Sequence, residues 1–205
     1  MLTLWGRLNS INVQKVVLAL EEIGAPYERI DAGRGFGVND TPAYEAMNPN
    51  RLVPVLKDGD FVLWESHAIV RYLAAKHPGS GLMPDDLKLR ADADRWMDWM
   101  HTAFNPAFGV AFHGLVRSPG SQTQAAIEES LAKSEEMAAI LDAWLADRPY
   151  VAGDAFSMGD IPVACGAHRW LNLPADKAER PHLRRWYARI MARPAAQRVL
   201  TLPIT

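Results

Sequence analysis

Two short motifs in the first half of the chain carry residue types whose spacing could do chemistry. The first is Val53-Pro54, at the point where an apolar strand should begin. Proline has no N–H to give to a sheet, so it belongs at a strand start or an edge. With a cis bond between the two residues, the N–H and C=O of Val53 would face outward and could pair with an extended peptide. An ordinary trans proline at a strand start is the alternative reading.

The second motif is Glu65-Ser66, directly before an apolar run with helical spacing. A helix N-terminus presents free backbone N–H groups and the positive end of the helix dipole, so Ser66 marks a possible carboxylate site. The acid of Glu65 could pair with an ammonium beside it. Together the two residues suit an α-amino acid head group, although an acid and a serine before a helix also form a common cap.

Mixed α and β elements must position these motifs over residues 1–77. An Asp-Gly pair between two short apolar runs predicts a β-hairpin, and apolar residues at helical spacing follow both a polar turn near residue 10 and Ser66. Three glycines predict an irregular loop over 33–40. The predicted order is strand (2–5), helix, strand (27–31), loop, strand (53–56), strand (61–64), helix.

The residue pattern of the chain changes at a Pro/Gly/Ser stretch, which predicts a linker over 78–87. Residues 88–205 show helical spacing and no convincing strand, which predicts a helical bundle. Within it, Ser157 with Asp160 three positions later predicts a reciprocal helix cap whose role is structural. Pro106 predicts a kink or break, and Cys165 is expected to be a buried thiol.

The order and spacing of the motifs resemble those of the cytosolic glutathione transferases. The similarity covers nearly the whole chain, and it implies an α/β N-terminal thioredoxin-like domain (1–77), a linker (78–87) and an all-α C-terminal helical bundle (88–205). The matching stretches are Asn-Pro at 48–49, Val-Pro-Val-Leu at 53–56, Asp-Gly at 58–59, Leu-Trp-Glu-Ser-His-Ala-Ile-Val-Arg-Tyr-Leu at 63–73 and Phe-Ser-Met-Gly-Asp-Ile at 156–161.

This resemblance implies a binding site for glutathione as co-substrate. In the family the bond before Pro54 is cis, Val53 pairs with the cysteinyl backbone of glutathione, and Glu65 and Ser66 hold the γ-glutamyl end. The glycine carboxylate is usually bound by a basic or polar group, often from the position before the valine. That position holds Leu52 here, which is a departure, and the candidates that could substitute are Arg51, Arg34 and Asn39.

The resemblance places the catalytic group in the turn after the first strand, where Ser10 and Asn12 are the candidates. No tyrosine or cysteine lies there, so the tyrosine-type and cysteine-type classes fit poorly. Ser-Ile-Asn at 10–12 is similar to the Thr-Pro-Asn of a bacterial group related to yeast prion-like transferases, in which the hydroxyl and the Asn both address the sulfur. Helix capping is the alternative role for both residues.

The second substrate is expected to be a small hydrophobic electrophile, as in detoxification, bound between this turn and the helices after the linker. Core and surface roles in two ordinary helices are equally compatible with the candidate residues. The histidines show no paired ligand spacing, so we expect no metal. The candidates for the pocket are His101, Phe104, Asn105 and Phe108, with Phe112 and His113 beside them.

Two other functions remain open at this stage. Glutathione-dependent disulfide-bond reduction is the first, because the Ser-x-Asn resemblance could imply it; a maleylacetoacetate isomerase fits less well, since its Ser-Ser-Cys run is replaced by Ser-Ile-Asn at 10–12. The second is a non-catalytic scaffold with the same fold. Intact Val53-Pro54 and Glu65-Ser66 argue against a scaffold, which would not need an amino-acid site.

Charge and composition bear on partners and location. The formal net charge of −2 argues against nucleic acid as a partner. The opening residues lack a basic start and a long apolar run, and no stretch reaches the roughly 20 apolar residues that span a bilayer. With a single cysteine and therefore no internal disulfide, we expect a cytoplasmic protein without a membrane partner. The family further implies a homodimer.

Overall fold

The computed structural model describes residues 1–205 as two compact units, Met1–Met83 and Pro84–Thr205. All four strands of the sheet belong to the first unit, and the second is built from helices. The boundary between the units lies inside the stretch 78–87 that the sequence marks as a linker.

The first unit is a four-stranded mixed sheet with three α-helices, which confirms the thioredoxin-like α/β prediction. The sheet order is β2-β1-β3-β4, with β1 and β2 parallel and the other two pairs antiparallel. The strands are β1 (Leu2–Trp5), β2 (Tyr27–Ile30), β3 (Val55–Asp58) and β4 (Phe61–Trp64), and the helices are α1 (Ile11–Ile23), α2 (Pro42–Met47) and α3 (Ser66–Lys76).

A glycine permits the tight turn between β1 and α1. A Cβ atom on Gly6 would lie 2.4 Å from Cγ2 of Val13, in the first turn of α1. Real Cβ atoms do not approach that closely, so a side chain at residue 6 would push the helix away from the strand. Gly6 thereby fixes where α1 begins, and with it the positions of Ser10 and Asn12.

The structure differs from the predicted order of elements in an added helix and in the start of a strand. The predicted loop is followed by α2, which begins with Pro42 after Thr41, whose Oγ1 accepts a hydrogen bond from the N–H of Tyr44 at 3.3 Å. A threonine cap with proline in the first turn is a start signal, but we read past it because of the neighbouring glycines. In addition, β3 begins at Val55 and not at Val53, since the preceding two residues form the cis turn.

The second unit contains only helices and the turns between them, as predicted. Two π-helical turns lie along its first two helices, at Met100–Phe104 and His113–Arg117. Pro106 stands in the first turn of α5, directly after the first π-helical turn, and the backbone is helical on both sides of it. The helices are α4 (Leu87–Trp99), α5 (Asn105–Phe112), α6 (Gln124–Trp144), α7 (Asp160–Leu171), α8 (Pro181–Met191) and α9 (Pro194–Val199).

The core of the second unit is organised around α7, which is buried along almost its whole length. A Cβ atom on Gly159, just before this helix, would lie 2.8 Å from the Cα of Ala93 in α4. Glycine is therefore what allows the start of α7 to lie against the backbone of α4.

A buried polar cluster marks the N-terminus of α7. The carboxylate of Asp160 is fully buried and accepts from the backbone N–H groups of Ser157 and Val151, both at 3.0 Å. It also accepts from the Ser157 hydroxyl at 3.3 Å and from Trp186 Nε1 at 2.9 Å. In return, Ser157 Oγ accepts from the N–H of Gly159 at 3.3 Å. This geometry confirms the reciprocal cap, extended by two donors from elsewhere in the chain.

None of the helices combines the length and the apolar character needed to cross a lipid bilayer.

Candidate functional site

The packing of α1 on α3 brings the turn at residues 10–12 beside the Glu65-Ser66 motif. Ser66 Oγ donates to Asn12 Oδ1 at 3.4 Å, although the residues are 54 positions apart. Five of the predicted site residues line one cleft: Asn12, Val53, Pro54, Glu65 and Ser66. The same cleft is lined by Asn48, Asn50 and Leu52, whereas Ser10 and Arg51 are not among its lining residues.

The Val53-Pro54 peptide bond is cis, as the family resemblance implies. The turn is anchored one residue earlier, at the carbonyl of Leu52. That oxygen accepts from Tyr44 Oη at 2.8 Å and from Asn48 Nδ2 at 2.9 Å. Burial raises the pKa of Tyr44 to about 12, so its hydroxyl stays protonated and keeps donating. The backbone of the turn is held from inside the protein, and Val53 is one of the residues that line the cleft.

Glu65 has the unusual backbone of the site. Its φ of 72° and ψ of 110° lie in a region that non-glycine residues rarely adopt. It occupies the position before the first turn of α3, its side chain makes no capping hydrogen bond, and it is exposed. The carboxylate is therefore available to a ligand.

Ser66 is the first residue of α3 and not its cap, contrary to the sequence interpretation. Since Glu65 takes the cap position, the Ser66 hydroxyl is directed to Asn12 instead. The first N–H groups of a helix have no acceptor within it. An anion in the cleft near Ser66 would meet the positive end of the α3 dipole.

Ser10 and Asn12 lie at the start of α1, in different environments. Ser10 has the extended backbone of a cap residue, with φ −86° and ψ 124°, but its side chain makes no capping hydrogen bond and it is only 7% exposed. Asn12 is exposed in the cleft, and its Oδ1 accepts from Ser66 and from Lys15 Nζ, the latter at 3.0 Å. The Ser10 hydroxyl therefore does not cap α1.

Sequence reasoning missed a buried lysine beside this site. Lys15 is only 2% exposed, and its Nζ lies 3.0 Å from Asn12 Oδ1 and 3.0 Å from His67 Nε2. The available signal was a lysine within an otherwise apolar helical run, three residues after Asn12.

The basic residues near the Val53 turn have different partners. The guanidinium of Arg51 forms an ion pair with Glu45, and the backbone carbonyl of Arg51 accepts from Asn39 Nδ2 at 2.8 Å. By contrast, Arg7 and Arg34 repel each other: burial, and secondly the charge of Arg34, lower the pKa of Arg7.

Arg7 also has an unmet hydrogen-bonding group. Its Nε is buried and makes no hydrogen bond. Its Nη1 is 2.9 Å from the position that a Cβ on Gly33 would occupy, and a Val53 methyl group is 3.4 Å from the same point. The guanidinium of Arg7 therefore lies near the Val53 side chain, and it comes from the turn after β1 and not from the segment that holds Arg51.

The residues predicted for a second-substrate pocket lie in the first helices of the second unit. Phe104 and Phe108 are fully buried, in ring contact with each other at 5.3 Å between centroids. Phe104 also contacts Trp170 of α7. These two rings belong to the core of the helical unit, while His101 is exposed and Asn105 is half-buried. Of the two neighbours, Phe112 is buried and His113 exposed.

No group of three or more His, Cys, Asp or Glu side chains is placed to hold a metal ion. Cys165 is a thiol buried in α7, as predicted.

Comparison with known proteins assigns both halves of the chain to one family. Residues 1–75 match the family model described as glutathione S-transferase, N-terminal domain, and residues 95–194 match the model of the C-terminal domain. The glutathione S-transferase GstB of Escherichia coli is 45% identical, with all of both chains covered. Glutathione S-transferase 3 of Zea mays is 35% identical over 99% of this chain and 95% of its own.

A solved structure supports the same assignment. The theta class glutathione S-transferase of Xanthomonas axonopodis pv. citri, with glutathione bound, superposes with a TM-score of 0.95 at 47% identity, covering 100% of this chain and 99% of that one. These matches confirm the resemblance drawn from the motifs. The chain belongs to the glutathione S-transferase family.

Proposed function

We propose that this chain binds glutathione in the cleft at Val53, Glu65 and Ser66 and activates its thiol for attack on a small hydrophobic electrophile. The observation that carries the proposal is the cleft itself, which is lined by Val53, by Glu65 with its exposed, non-capping side chain, and by Ser66 at the start of α3. Glu65 binds the α-ammonium of the γ-glutamyl group, and the start of α3 binds its carboxylate.

Ser10 and Asn12 stabilise the thiolate. A free thiol has a pKa of about 8.5, and lowering it by about two units requires roughly 2.7 kcal/mol of preference for the anion. One hydrogen bond to a charged group supplies roughly 1.5–3 kcal/mol, and a helix N-terminus adds roughly 0.3–1. The hydroxyl, the amide and the start of α1 together meet this requirement.

The reaction is a nucleophilic substitution or addition. The thiol releases its proton to solvent, and the sulfur electron pair forms a C–S bond with the electrophilic carbon. In a substitution, the leaving group departs with the electrons of the bond that breaks. In an addition, the π electrons of the electrophile move to the neighbouring atom, which then takes a proton from solvent. The protein supplies only the position and the ionisation of the sulfur.

We infer that Arg7 and Arg34, rather than Arg51, bind the glycine carboxylate. Arg51 is already paired with Glu45, whereas the two other guanidinium groups repel each other, and Nε of Arg7 is buried without a partner. A carboxylate would relieve that repulsion and accept hydrogen bonds from both side chains.

The glycine contact can be tested with γ-glutamylcysteine, which lacks the glycine. In the wild type, glutathione should bind roughly tenfold more tightly than this dipeptide, since one charged hydrogen bond is worth about 1.5 kcal/mol or more. Arg34→Ala should remove that difference, and Arg51→Ala should retain it. The opposite pattern would return the role to Arg51.

The decisive test of the proposed function is calorimetric titration of the protein with glutathione, followed by a rate assay with an aryl halide. Saturable binding and conjugation are expected. Absence of binding would favour a non-catalytic scaffold. Binding with turnover of a small disulfide but not of the aryl halide would favour disulfide-bond reduction, the alternative that Ser10 and Asn12 leave open.

We further propose a cytoplasmic homodimer, as the family relationship supports. Light scattering of the purified protein should give a mass near twice the 22.8 kDa of the chain. A monomer at micromolar concentration would contradict the proposal. Fractionation of source cells should recover the protein without detergent and apart from the exported fraction.

A further inference from the structure

Lys15 is a charged group buried where an apolar side chain would be easier to accommodate. It lies in the second turn of α1, among residues that are almost all buried, and only 2% of it is exposed. Removing an ammonium from water costs several kcal/mol unless its partners compensate. Its Nζ is within hydrogen-bonding distance of Asn12 and His67. The burial thus directs a positive charge at a residue of the cleft.

The contact fixes which way the Asn12 amide faces. A lysine ammonium can only donate, so the atom 3.0 Å from it must be the amide oxygen. The Ser66 hydroxyl donates to the same oxygen at 3.4 Å. With its oxygen engaged twice, Asn12 has only the two N–H bonds of Nδ2 left to offer, and it is exposed in the cleft.

The contact with His67 points the same way. A Lys15 donor requires His67 Nε2 as the acceptor, with the ring proton on Nδ1. Lys15 thus donates to both Asn12 and His67.

We propose that Lys15 is a positioning residue for the thiolate: it holds Asn12 as a hydrogen-bond donor and polarises that donor toward the sulfur of bound glutathione. This inference rests on the proposed function. An amide whose oxygen accepts from a cation is a stronger donor at its nitrogen, since hydrogen bonds in a chain polarise one another. The ammonium acts through the amide and need not touch the sulfur.

The test is the apparent pKa of the thiol in bound glutathione, read from the ultraviolet absorbance of the thiolate against pH. Lys15→Met, which keeps the length of the side chain and removes the charge, should raise this pKa by about one unit, a tenfold loss of thiolate below the pKa. Lys15→Arg should retain the wild-type value. Binding of S-methylglutathione, which has no thiol to ionise, should change less than threefold in either variant.

A double-variant cycle establishes the route. In the Asn12→Ala background, Lys15→Met should raise the thiol pKa by much less than it does in the wild type. A full effect in that background would refute action through Asn12. An unchanged pKa in folded Lys15→Met would refute any role for Lys15 in the ionisation.

A measurement on the wild type covers the case in which the variants do not fold. The side-chain amide resonances of Asn12 should differ between complexes with glutathione and with an analogue that carries alanine in place of cysteine. Identical resonances would overturn the proposal. If neither ligand binds at all, the proposed function fails first; if both bind and the resonances coincide, only the role of Lys15 and Asn12 fails.

Discussion

The two units each place a serine and an acid at the start of a helix, and they use the pair in opposite ways. At α7, every oxygen of Asp160 accepts hydrogen bonds from the chain itself, and the side chain is fully buried. At α3, the carboxylate of Glu65 makes no capping bond, is exposed, and stands on a backbone with positive φ. The same chemical groups thus form a closed cap in one unit and an open site in the other.

Hydrogen-bond saturation therefore distinguishes a structural cap from a binding site. An acid whose acceptors are all used stabilises the fold and has nothing left for a ligand. An acid with unused acceptors, on a backbone that costs free energy to hold, stabilises nothing by itself. Variants at the two pairs should therefore separate stability from binding.

The largest effect is expected from Asp160→Ala. It leaves buried donors of Val151, Ser157 and Trp186 without an acceptor, and each such donor costs about 1–3 kcal/mol. We expect a loss of about 3–5 kcal/mol in the free energy of unfolding, measured by denaturant titration. The exposed Asp147→Ala is the control, with a change below about 0.5 kcal/mol. Lost activity with an unchanged melting temperature would show that Asp160 is not a structural cap.

The next effect belongs to the open pair. Glu65→Gln removes the charge that faces the α-ammonium of glutathione, a contact worth about 2 kcal/mol, so its Kd should rise about 30-fold by calorimetry. The melting temperature should stay within about one degree, because no bond within the chain is lost. Glu129→Gln, which removes an exposed acid paired with Lys133, should leave the Kd unchanged. If the Glu65→Gln protein is unfolded, Glu65 stabilises the fold as Asp160 does, and the two pairs do not differ in this respect.

A smaller change is expected at the start of α1. Ser10→Ala and Asn12→Ala should each raise the apparent pKa of bound glutathione by about one unit, since each removes a hydrogen bond to the anion. Thiolate absorbance against pH measures the shift, and Ser121→Ala on an exposed turn serves as the control. Unchanged curves for both variants would remove these residues from the mechanism.

The smallest effect is a pH dependence of the stability that Asp160 contributes. Burial raises the pKa of Asp160 to about 6 in the folded state, against the hydrogen bonds that lower it. The folded protein therefore binds more protons than the unfolded chain, so this group's contribution to stability falls as pH rises through about 6. The expected loss is about 1 kcal/mol between about pH 5 and about pH 7.

Asp160→Asn isolates this contribution, because an amide does not titrate and all other groups cancel in the difference. The destabilisation caused by Asp160→Asn, measured by denaturant titration, should be largest near pH 5 and shrink toward pH 7. A penalty that grows with pH would mean that the four donors outweigh burial and hold the carboxylate charged.

Much of the fold could be predicted from the sequence. The strands at 2–5 and 61–64 and the change to helices after residue 78 follow from local spacing and turn residues. Helix α2 was missed because its start signal at Thr41 stands beside a glycine-rich loop. The late start of β3 and the cap position of Glu65 depend on the cis turn and the positive φ, which residue spacing does not encode.

Of the candidate site, the sequence supplied Val53, Glu65, Ser66 and Asn12 as separate motifs, and the structure places them in one cleft. The sequence did not point to Lys15, because the side chain of a lysine in an apolar helix is ordinarily expected to reach solvent. Whether it does so depends on α3, which covers this face of α1 and offers His67 as a partner.

The sequence by itself determined the types of element, the division into a mixed half and a helical half, and the family, since these rest on local preferences and on motifs in a fixed order. Only the tertiary structure decided that the acceptors of Asp160 are used within the chain and that those of Glu65 are left for a ligand. The acceptors of Asp160 are filled by Trp186 and Val151, which lie 26 and 9 residues away. Hydrogen-bond saturation is set by distant segments that meet in space, and no local pattern records it.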